Sequence, residues 1–276
     1  MPLFARLAAL LIFLPLARPS AVSAETYDIY LLAGQSNMDG RGQTQDLAES
    51  VRRPSDTHLI FYRNSHVATE RWQPLAPGFS RPPRYRGALP APTFGPEIGF
   101  ALAMTEASAA QRLALIKGSQ GGTSLRADWT PGTKDRPDTQ GPQYRDFLDT
   151  VRQATGQLTA EGHQWQIRGL LWHQGESDSR SDVATYRQRL AEFLRRLRED
   201  LDQPDLPVVL GEVYDNGKRD SVRTASHQVA AADANTNIVS AADTISGDGT
   251  HFDADSQLLL GRRYAQQMRA LLTVDR

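Results

Sequence analysis

Apolar runs and amphipathic segments alternate along most of the chain. Short apolar runs are typical of buried strands, whereas apolar residues that recur every three or four positions indicate helices. Strands are expected at 27–33, 57–62, 113–116, 167–172, 208–213 and 237–241. Helices are expected from 95, over 144–158, 183–201 and 221–232, and over a final segment that includes 260–271. Because strands and helices alternate, the pattern predicts a three-layer α/β/α domain with a mainly parallel sheet.

The first 24 residues have a different pattern. Arg6 precedes an apolar block over 7–16, and the segment Val22-Ser23-Ala24 offers small side chains at a cleavage position. This is the layout of a secretory signal peptide, and the block is too short to span a bilayer comfortably. We therefore expect a signal peptide over 1–24, one mature domain over 25–276, and a secreted or periplasmic protein. A retained N-terminal anchor is the alternative.

Composition narrows the class of protein. The chain has 276 residues, of which 39% are hydrophobic and 23% are charged, enough for one large α/β domain. Its formal net charge of −1 gives no general attraction to nucleic acid or to acidic membranes, so neither is expected as a partner of the mature protein. The chain contains no cysteine, so its stability in an oxidising compartment depends on the core alone.

The first expected strand ends at Gly34, and the loop that follows carries one serine, Ser36. In an open α/β sheet, ligands bind just beyond the carboxyl ends of the strands, where a nucleophile would be useful. The alternative is that Ser36 caps a short helix, because serine is a favoured N-cap residue. A motif near the C terminus helps to decide whether Ser36 is a nucleophile or a helix cap.

A second polar motif, Gly247-Asp248-Gly249-Thr250-His251, lies near the C terminus. A serine hydroxyl needs a base to accept its proton, and that base works best when a carboxylate fixes its tautomer. Asp248 could accept the Nδ1 proton of His251 and leave Nε2 facing Ser36. Alternatively, Asp248 is a turn residue and His251 a surface histidine. Asp253 is also close to His251 in the sequence, although capping of the last helix explains it adequately.

Four segments together resemble the motifs of the SGNH-type hydrolases, in the same order. More closely, the chain is similar to the branch that contains the sialate O-acetylesterase domain and the acetyl xylan esterases of carbohydrate esterase family six. The segments are Gly34-Gln35-Ser36-Asn37-Met38, Gly121-Gly122-Thr123, Trp172-His173-Gln174-Gly175-Glu176-Ser177-Asp178 and Asp248-Gly249-Thr250-His251. The wider superfamily has Gly-Asp-Ser in the first segment and asparagine in the third. This chain has Gly-Gln-Ser and Gln174, which fits the sugar-deacetylating branch.

The resemblance implies a flavodoxin-like sheet of about five strands and a role for each motif. It makes Ser36 the nucleophile, His251 the general base and Asp248 its orienting acid. It also implies an oxyanion hole, which we expect to form from the Ser36 amide, the backbone of the glycine pair and the Gln174 side chain. Of the pair Gly121 and Gly122 we favour Gly122; without the resemblance, the pair would simply be a turn. Further candidates for contact with substrate or support of the reacting groups are Gln35, Asn37, Trp129, His173 and Glu176.

These expectations combine into one hypothesis, a secreted serine esterase that removes O-acetyl groups from carbohydrates without a cofactor or a metal. His173, Glu176 and Asp178 have the composition of metal ligands, but their spacing matches no zinc motif. The compact single domain favours acetylated xylan or a related polysaccharide as the substrate. One alternative is a sialic acid O-acetylesterase. The other belongs to a different class, a carbohydrate-binding protein that has lost catalysis.

Overall fold

The computed structural model describes residues 24–80, 92–108 and 112–273. The predicted signal peptide therefore lies outside the described residues, apart from Ala24. Within the described ranges, no helix combines the length and the apolar character needed to cross a membrane.

The expected elements are present, and short strands and helical turns are added between them. The strands are β1 (Thr26–Gly34), β2 (Gly42–Gln43), β3 (Leu59–Asn64), β4 (Val67–Ala68), β5 (Gln73–Pro74), β6 (Thr93–Phe94), β7 (Leu113–Ser119), β8 (Gln164–His173), β9 (Val208–Gly211) and β10 (Thr236–Val239). The helices are α1 (Ser36–Asp39), α2 (Glu49–Arg52), α3 (Glu97–Ala107), α4 (Pro142–Ala160), α5 (Val183–Asp200), α6 (Asp220–Ala232) and α7 (Ala254–Leu272).

The main sheet is mostly parallel, with the strand order β10-β9-β8-β1-β7-β3-β4 and with β5 also paired to β3. All pairings from β10 to β3 are parallel, whereas the short strands β4 and β5 are antiparallel to β3. Six strands of the described chain are thus parallel, in a sheet of the kind that the resemblance implies. A separate antiparallel pair joins β2 to β6.

The sheet is covered on both faces, which confirms the three-layer α/β/α fold. Successive side chains of a strand point to opposite faces, so Ile29 and Leu31 of β1 belong to one apolar cluster and Tyr30 and Leu32 to the other. The first cluster includes side chains of α4, α5 and α6, and the second includes side chains of α3 and α7. Each fully buried aliphatic side chain contributes on the order of 1.5–3 kcal/mol relative to exposure, so the central strand is held firmly.

Two of the long helices begin at an aspartate N-cap. The Asp182 side chain accepts the Thr185 N–H at the start of α5, and the Asp253 side chain accepts the Ser256 N–H at the start of α7. Such a cap satisfies a backbone donor that has no partner within the helix. Asp253 is therefore engaged in capping, as the sequence predicts, and α7 starts directly after the His251 motif.

Candidate active site

Three neighbouring strands end at the same level, and each leads into a polar loop. In the parallel register, Gly34 at the end of β1 pairs with Ser119 in β7 and with His173 in β8. The chain passes from β7 on one side of β1 to β8 on the other, so the strand order reverses here. Open α/β sheets bind ligands at such a switch point, beyond the carboxyl ends of the strands. The motif loops therefore meet at one edge of the sheet.

Gly34 lets two of these loops come close together. Its φ is 145°, and a Cβ at this position would lie 2.1 Å from the carbonyl oxygen of His173. The next residue, Gln35, donates its backbone N–H to the same carbonyl at 2.9 Å. Only glycine fits this conformation and this spacing, so the sharp turn that presents Ser36 depends on it.

The side chains of Ser36, His251 and Asp248 are connected in series. His251 Nε2 lies 3.0 Å from Ser36 Oγ, and His251 Nδ1 lies 2.6 Å from Asp248 Oδ2. With the ring proton on Nδ1 facing the carboxylate, Nε2 is free to accept the proton of the serine hydroxyl. Ser36 is buried, whereas the His251 side chain is 30% exposed. This is the arrangement that serine hydrolases use.

The Asp248 carboxylate is stabilised as an anion. Its Oδ1 accepts the backbone N–H groups of His251 and Thr250 at 2.7 and 2.8 Å. Partial burial would raise the pKa of Asp248. The hydrogen bonds from the His251 backbone and ring and from the Thr250 backbone outweigh this, and they hold the pKa of Asp248 well below its usual range. Asp248 is therefore ionised at neutral pH and can orient the imidazole.

Asn37 links the loop that carries Ser36 to the loop that carries His251. Its Nδ2 donates to the Glu176 carboxylate and, at 2.9 Å, to the Thr250 carbonyl oxygen. Its Oδ1 accepts the Phe252 N–H at 3.2 Å. Thr250 and Phe252 flank His251 in the chain, so one buried amide fixes the backbone on both sides of the imidazole.

His173 is buried, and within the described part of the chain its side chain forms no hydrogen bond with Ser36. Its Nδ1 lies 3.0 Å from the Tyr264 hydroxyl, and its Nε2 lies 3.9 Å from Glu176 Oε1. Burial lowers the pKa of His173, and the charge of Glu176 opposes this only in part. The imidazole is therefore neutral near pH 7 and supports the strand end.

Of the two candidate glycines, Gly121 is the one that lies against Ser36. A Cβ on Gly121 would be 3.5 Å from Ser36 Cβ, whereas a Cβ on Gly122 would meet nothing within 4 Å. The backbone N–H groups of Ser36 and Gly121 donate to no described residue, so they are available to a substrate oxygen. The geometry thus favours Gly121 over Gly122, the glycine that we favoured from the sequence.

The Gln174 amide is not placed to bind an oxyanion. The residue is 2% exposed, and its Nε2 lies 2.7 Å from Asp178 Oδ2, 3.1 Å from the Thr123 carbonyl and 3.2 Å from Gln35 Oε1. An amide has two N–H donors, and these three acceptors engage both. These contacts argue against the expected oxyanion role of Gln174, because Asp178 competes for the same donor.

Gln35 fastens the loop after β8 to the loop after β1. Besides the contact with Gln174, its Oε1 accepts the backbone N–H groups of Gly175 and Ser177 at 3.4 and 3.2 Å. The side chain is buried, which favours a supporting role over contact with a substrate.

Trp129 belongs to the core. It is fully buried and packs edge to face against Trp172, with ring centroids 5.1 Å apart. Its Nε1 donates to Thr123 Oγ1 at 2.9 Å, directly after the glycine pair. A buried ring cannot stack on a sugar, so of the two roles expected for Trp129 the packing favours support of the site.

A buried charged network lies under the Ser36 loop, and the sequence analysis did not identify it. Lys117 Nζ donates to the Asp39 carbonyl at 2.8 Å and pairs with Glu97 at 2.9 Å. The Asp39 carboxylate accepts the Tyr62 hydroxyl and Arg41 Nη1, both at 2.7 Å. Burial, then the charge of Asp39, raise the pKa of Tyr62 far above its usual range, so the phenol remains a donor. Lys117 follows an apolar run in the sequence, and this could have indicated the network, because a buried charge requires partners.

Two surface hollows adjoin these residues. A cleft of about 360 Å³ beside His251 is lined by polar side chains that include Arg41, Asp46, Thr93 and Asp253. A second hollow, of about 520 Å³, is lined by Glu176 together with Arg126, Arg180 and the intervening serines. The first is large enough to admit a sugar residue next to the imidazole.

With the fold and site described, comparison with known proteins defines the class. A family model described as carbohydrate esterase, sialic acid-specific acetylesterase matches residues 26–270. The chain belongs to this family. Among curated proteins, a probable carbohydrate esterase of Arabidopsis thaliana is 31% identical over 105 residues, which are 37% of this chain and 40% of that protein.

Solved structures share the fold. The X-ray structure of the Arabidopsis thaliana protein has a TM-score of 0.69 at 22% identity, covering 88% of this chain and 98% of that one. NanS has a TM-score of 0.65 at 15% identity, covering 91% and 99%. A carbohydrate acetylesterase from Xanthomonas citri has a TM-score of 0.63 at 17% identity, covering 88% of this chain and 56% of its own. The prediction of this fold is thereby confirmed.

Proposed function

We propose that the protein is a serine esterase that removes O-acetyl groups from carbohydrates. The observation that carries the proposal is the hydrogen-bonded series from Asp248 through His251 to Ser36. A hydroxyl beside a carboxylate-oriented imidazole is a nucleophile that has its base in place. The chain belongs to a family of carbohydrate acetylesterases, which supports acetyl as the acyl group and a carbohydrate as the substrate.

In the proposed reaction, Ser36 Oγ attacks the acetyl carbonyl carbon while His251 Nε2 takes the hydroxyl proton. The N–H groups of Ser36 and Gly121 receive the oxygen that becomes negative. The imidazolium then returns its proton to the departing sugar oxygen, and an acetyl-serine remains. Water, deprotonated by His251, attacks this ester and releases acetate, which restores the free serine.

The charge of the cleft beside His251 supports a neutral sugar. Among the described residues that line it, the carboxylates are Asp46, Asp248 and Asp253, and the guanidinium is that of Arg41. An excess of carboxylates disfavours an anionic ligand and leaves many acceptors for sugar hydroxyl groups. Acetylated xylan or a related neutral polysaccharide is therefore the preferred substrate.

A second candidate substrate is an O-acetylated sialic acid. Arg126 and Arg180 line the hollow beside Glu176, and neither forms an ion pair within the described part of the chain. Unpaired guanidinium groups are suited to binding a sugar carboxylate. The description of the family also refers to sialic acid.

Acetate release from acetylated xylan and from an O-acetylated sialic acid separates these candidates. The proposal expects wild-type activity on xylan to exceed that on sialic acid, and expects Ser36→Ala to abolish both. A preference for sialic acid that disappears in the double variant Arg126→Gln, Arg180→Gln would establish the second candidate. Binding of either carbohydrate without acetate release would contradict an esterase and indicate a binding protein.

We also propose that the protein is exported, because residues 1–24 have the layout of a signal peptide. Amino-terminal sequencing of the protein recovered from the periplasm or medium should then begin near Glu25. Recovery of the intact N terminus in the membrane fraction would indicate the retained anchor instead.

A further inference from the structure

Arg41 presents one bound and one unbound edge of its guanidinium beside the proposed nucleophile. Its Nη1 donates to Asp39 Oδ2 at 2.7 Å, to the Gly40 carbonyl and to Ser80 Oγ at 3.3 Å. Its Nη2 donates to no described residue, and Arg41 lines the cleft next to His251. Among the described residues, the Nη2 donors thus have no acceptor, and they belong to a side chain that lines the space a substrate would enter.

The unbound edge lies next to Ser36. A Cβ on Gly121 would be 3.0 Å from Arg41 Nη2 and 3.5 Å from Ser36 Cβ, so the guanidinium and the serine flank the same point. The φ of Gly121 is not positive, which means that another residue could adopt its backbone conformation. A side chain at position 121 would therefore press against the Arg41 guanidinium.

The position of Arg41 is fixed from below. Asp39 is fully buried, and its Oδ1 is held by the Tyr62 hydroxyl at 2.7 Å and by Ser119 Oγ at 3.0 Å. The backbone of Asp39 is held by Lys117 Nζ. A donor held in place before the reaction stabilises developing charge without the cost of reorganisation.

We propose that Arg41 Nη2 donates a hydrogen bond to the acyl oxygen that becomes negative, as a third donor beside the N–H groups of Ser36 and Gly121. This inference rests on the proposed function. It fills the role that the sequence suggested for Gln174, whose amide is engaged by Asp178. A guanidinium donor is also stronger than an amide in this position, because its hydrogen bond is charge-assisted.

The test compares Arg41→Met with Arg53→Met, a matched control in which the lost guanidinium is 74% exposed and bonded to Glu49. Initial rates are measured on a small aryl acetate and on acetylated xylan. The proposal expects Arg41→Met to lower kcat about 100- to 1,000-fold on both substrates with little change in KM. It expects Arg53→Met to match the wild type. A loss confined to xylan, or confined to KM, would make Arg41 a sugar-binding residue and overturn the proposal, as would unchanged rates.

A second variant separates chemistry from folding. In Arg41→Ala, added guanidinium ion, far below denaturing concentrations, should restore part of kcat on the aryl acetate, whereas the same concentration of sodium chloride should not. A loss of kcat that guanidinium does not restore, accompanied by a lower Tm, would mean that Arg41 only supports the loop, and would overturn the proposal. Ser36→Ala identifies the other failure. If that variant releases acetate normally, the proposed function itself is wrong, whatever Arg41 does.

Discussion

His251 Nε2 lies 3.0 Å from Ser36 Oγ, although the two residues are 215 positions apart in the chain. Ser36 follows the central strand β1, and His251 precedes α7, which packs on the same sheet. The contact therefore exists only when the sheet and its last helix are assembled. Activity should therefore be lost when the fold is lost. Single substitutions around Ser36 and His251 should separate effects on the orientation of the imidazole from effects on the stability of the fold.

Asp248→Asn should lower kcat on an aryl acetate by about 10²- to 10⁴-fold with little change in KM. Asparagine carries no charge to stabilise the imidazolium and no longer selects the tautomer with its proton on Nδ1. Asp182→Ala, which removes the N-cap of α5, is the control. It should lose about 1 kcal/mol of stability and keep its kcat. A kcat within twofold of wild type in Asp248→Asn would show that the backbone alone orients His251.

Asn37→Ala should lower kcat by about ten- to a hundredfold. It removes the amide that holds Thr250 and Phe252 on either side of His251, including the bond to the Glu176 carboxylate. A hydrogen bond to a charged group contributes about 1.5–3 kcal/mol to stability. If losing this energy frees the His251 imidazole to move, the rate should fall by about ten- to a hundredfold. The matched variant Asn237→Ala loses an amide bond to Gln267 and should retain full kcat. Equal rates in the two variants would show that the Asn37 bonds do not position His251.

The Gln174→Leu variant tests whether Gln174 stabilises the fold or takes part in catalysis. Because Gln174 Nε2 donates to the buried Asp178, we expect a loss of about 1.5–3 kcal/mol in the free energy of unfolding, measured in urea, and a kcat within tenfold of wild type. Gln157→Leu, which removes an exposed bond to the Glu70 carbonyl, should change neither quantity appreciably. A 100- to 1,000-fold loss of kcat at unchanged stability would instead restore Gln174 as an oxyanion donor.

His173 should make the protein less stable in mild acid. Its folded-state pKa is lowered by burial, so below about pH 6.5 the unfolded chain binds a proton that the folded chain refuses. Stability contributed by the neutral imidazole is complete above this pH and is lost as the pH falls toward the folded-state pKa, by up to about 1.4 kcal/mol per pH unit. In urea titrations from pH 7 to pH 5, His173→Gln should lack this component. Identical pH slopes for both proteins would contradict the assignment.

The alternating strands and helices, and the loops that carry the motif residues, could be predicted from the sequence. Continuous apolar runs located β1, β7 and β8 because both faces of the sheet are covered, and periodicity located the long helices because one face of each is buried. The rule that ligands bind beyond the carboxyl ends of strands brought the loops together. Periodicity cannot show how a buried polar side chain is paired. Gln174 and Asp178 lie four positions apart, and Asp39 and Arg41 lie two apart, but the loop conformations that pair them are not visible in the pattern. The approach of Gly121 to Ser36 joins distant segments, which only the folded chain brings into reach.

The most direct measurement of the central claim is the site of covalent modification by a fluorophosphonate, located by mass spectrometry of the peptides. We expect one adduct per chain, on Ser36, which forms in parallel with the loss of aryl acetate hydrolysis. The Ser36→Ala variant should form no adduct, and the His251→Ala variant should form it much more slowly than the wild type. Complete inactivation with the adduct on another residue, or an adduct on Ser36 with hydrolysis undiminished, would contradict it.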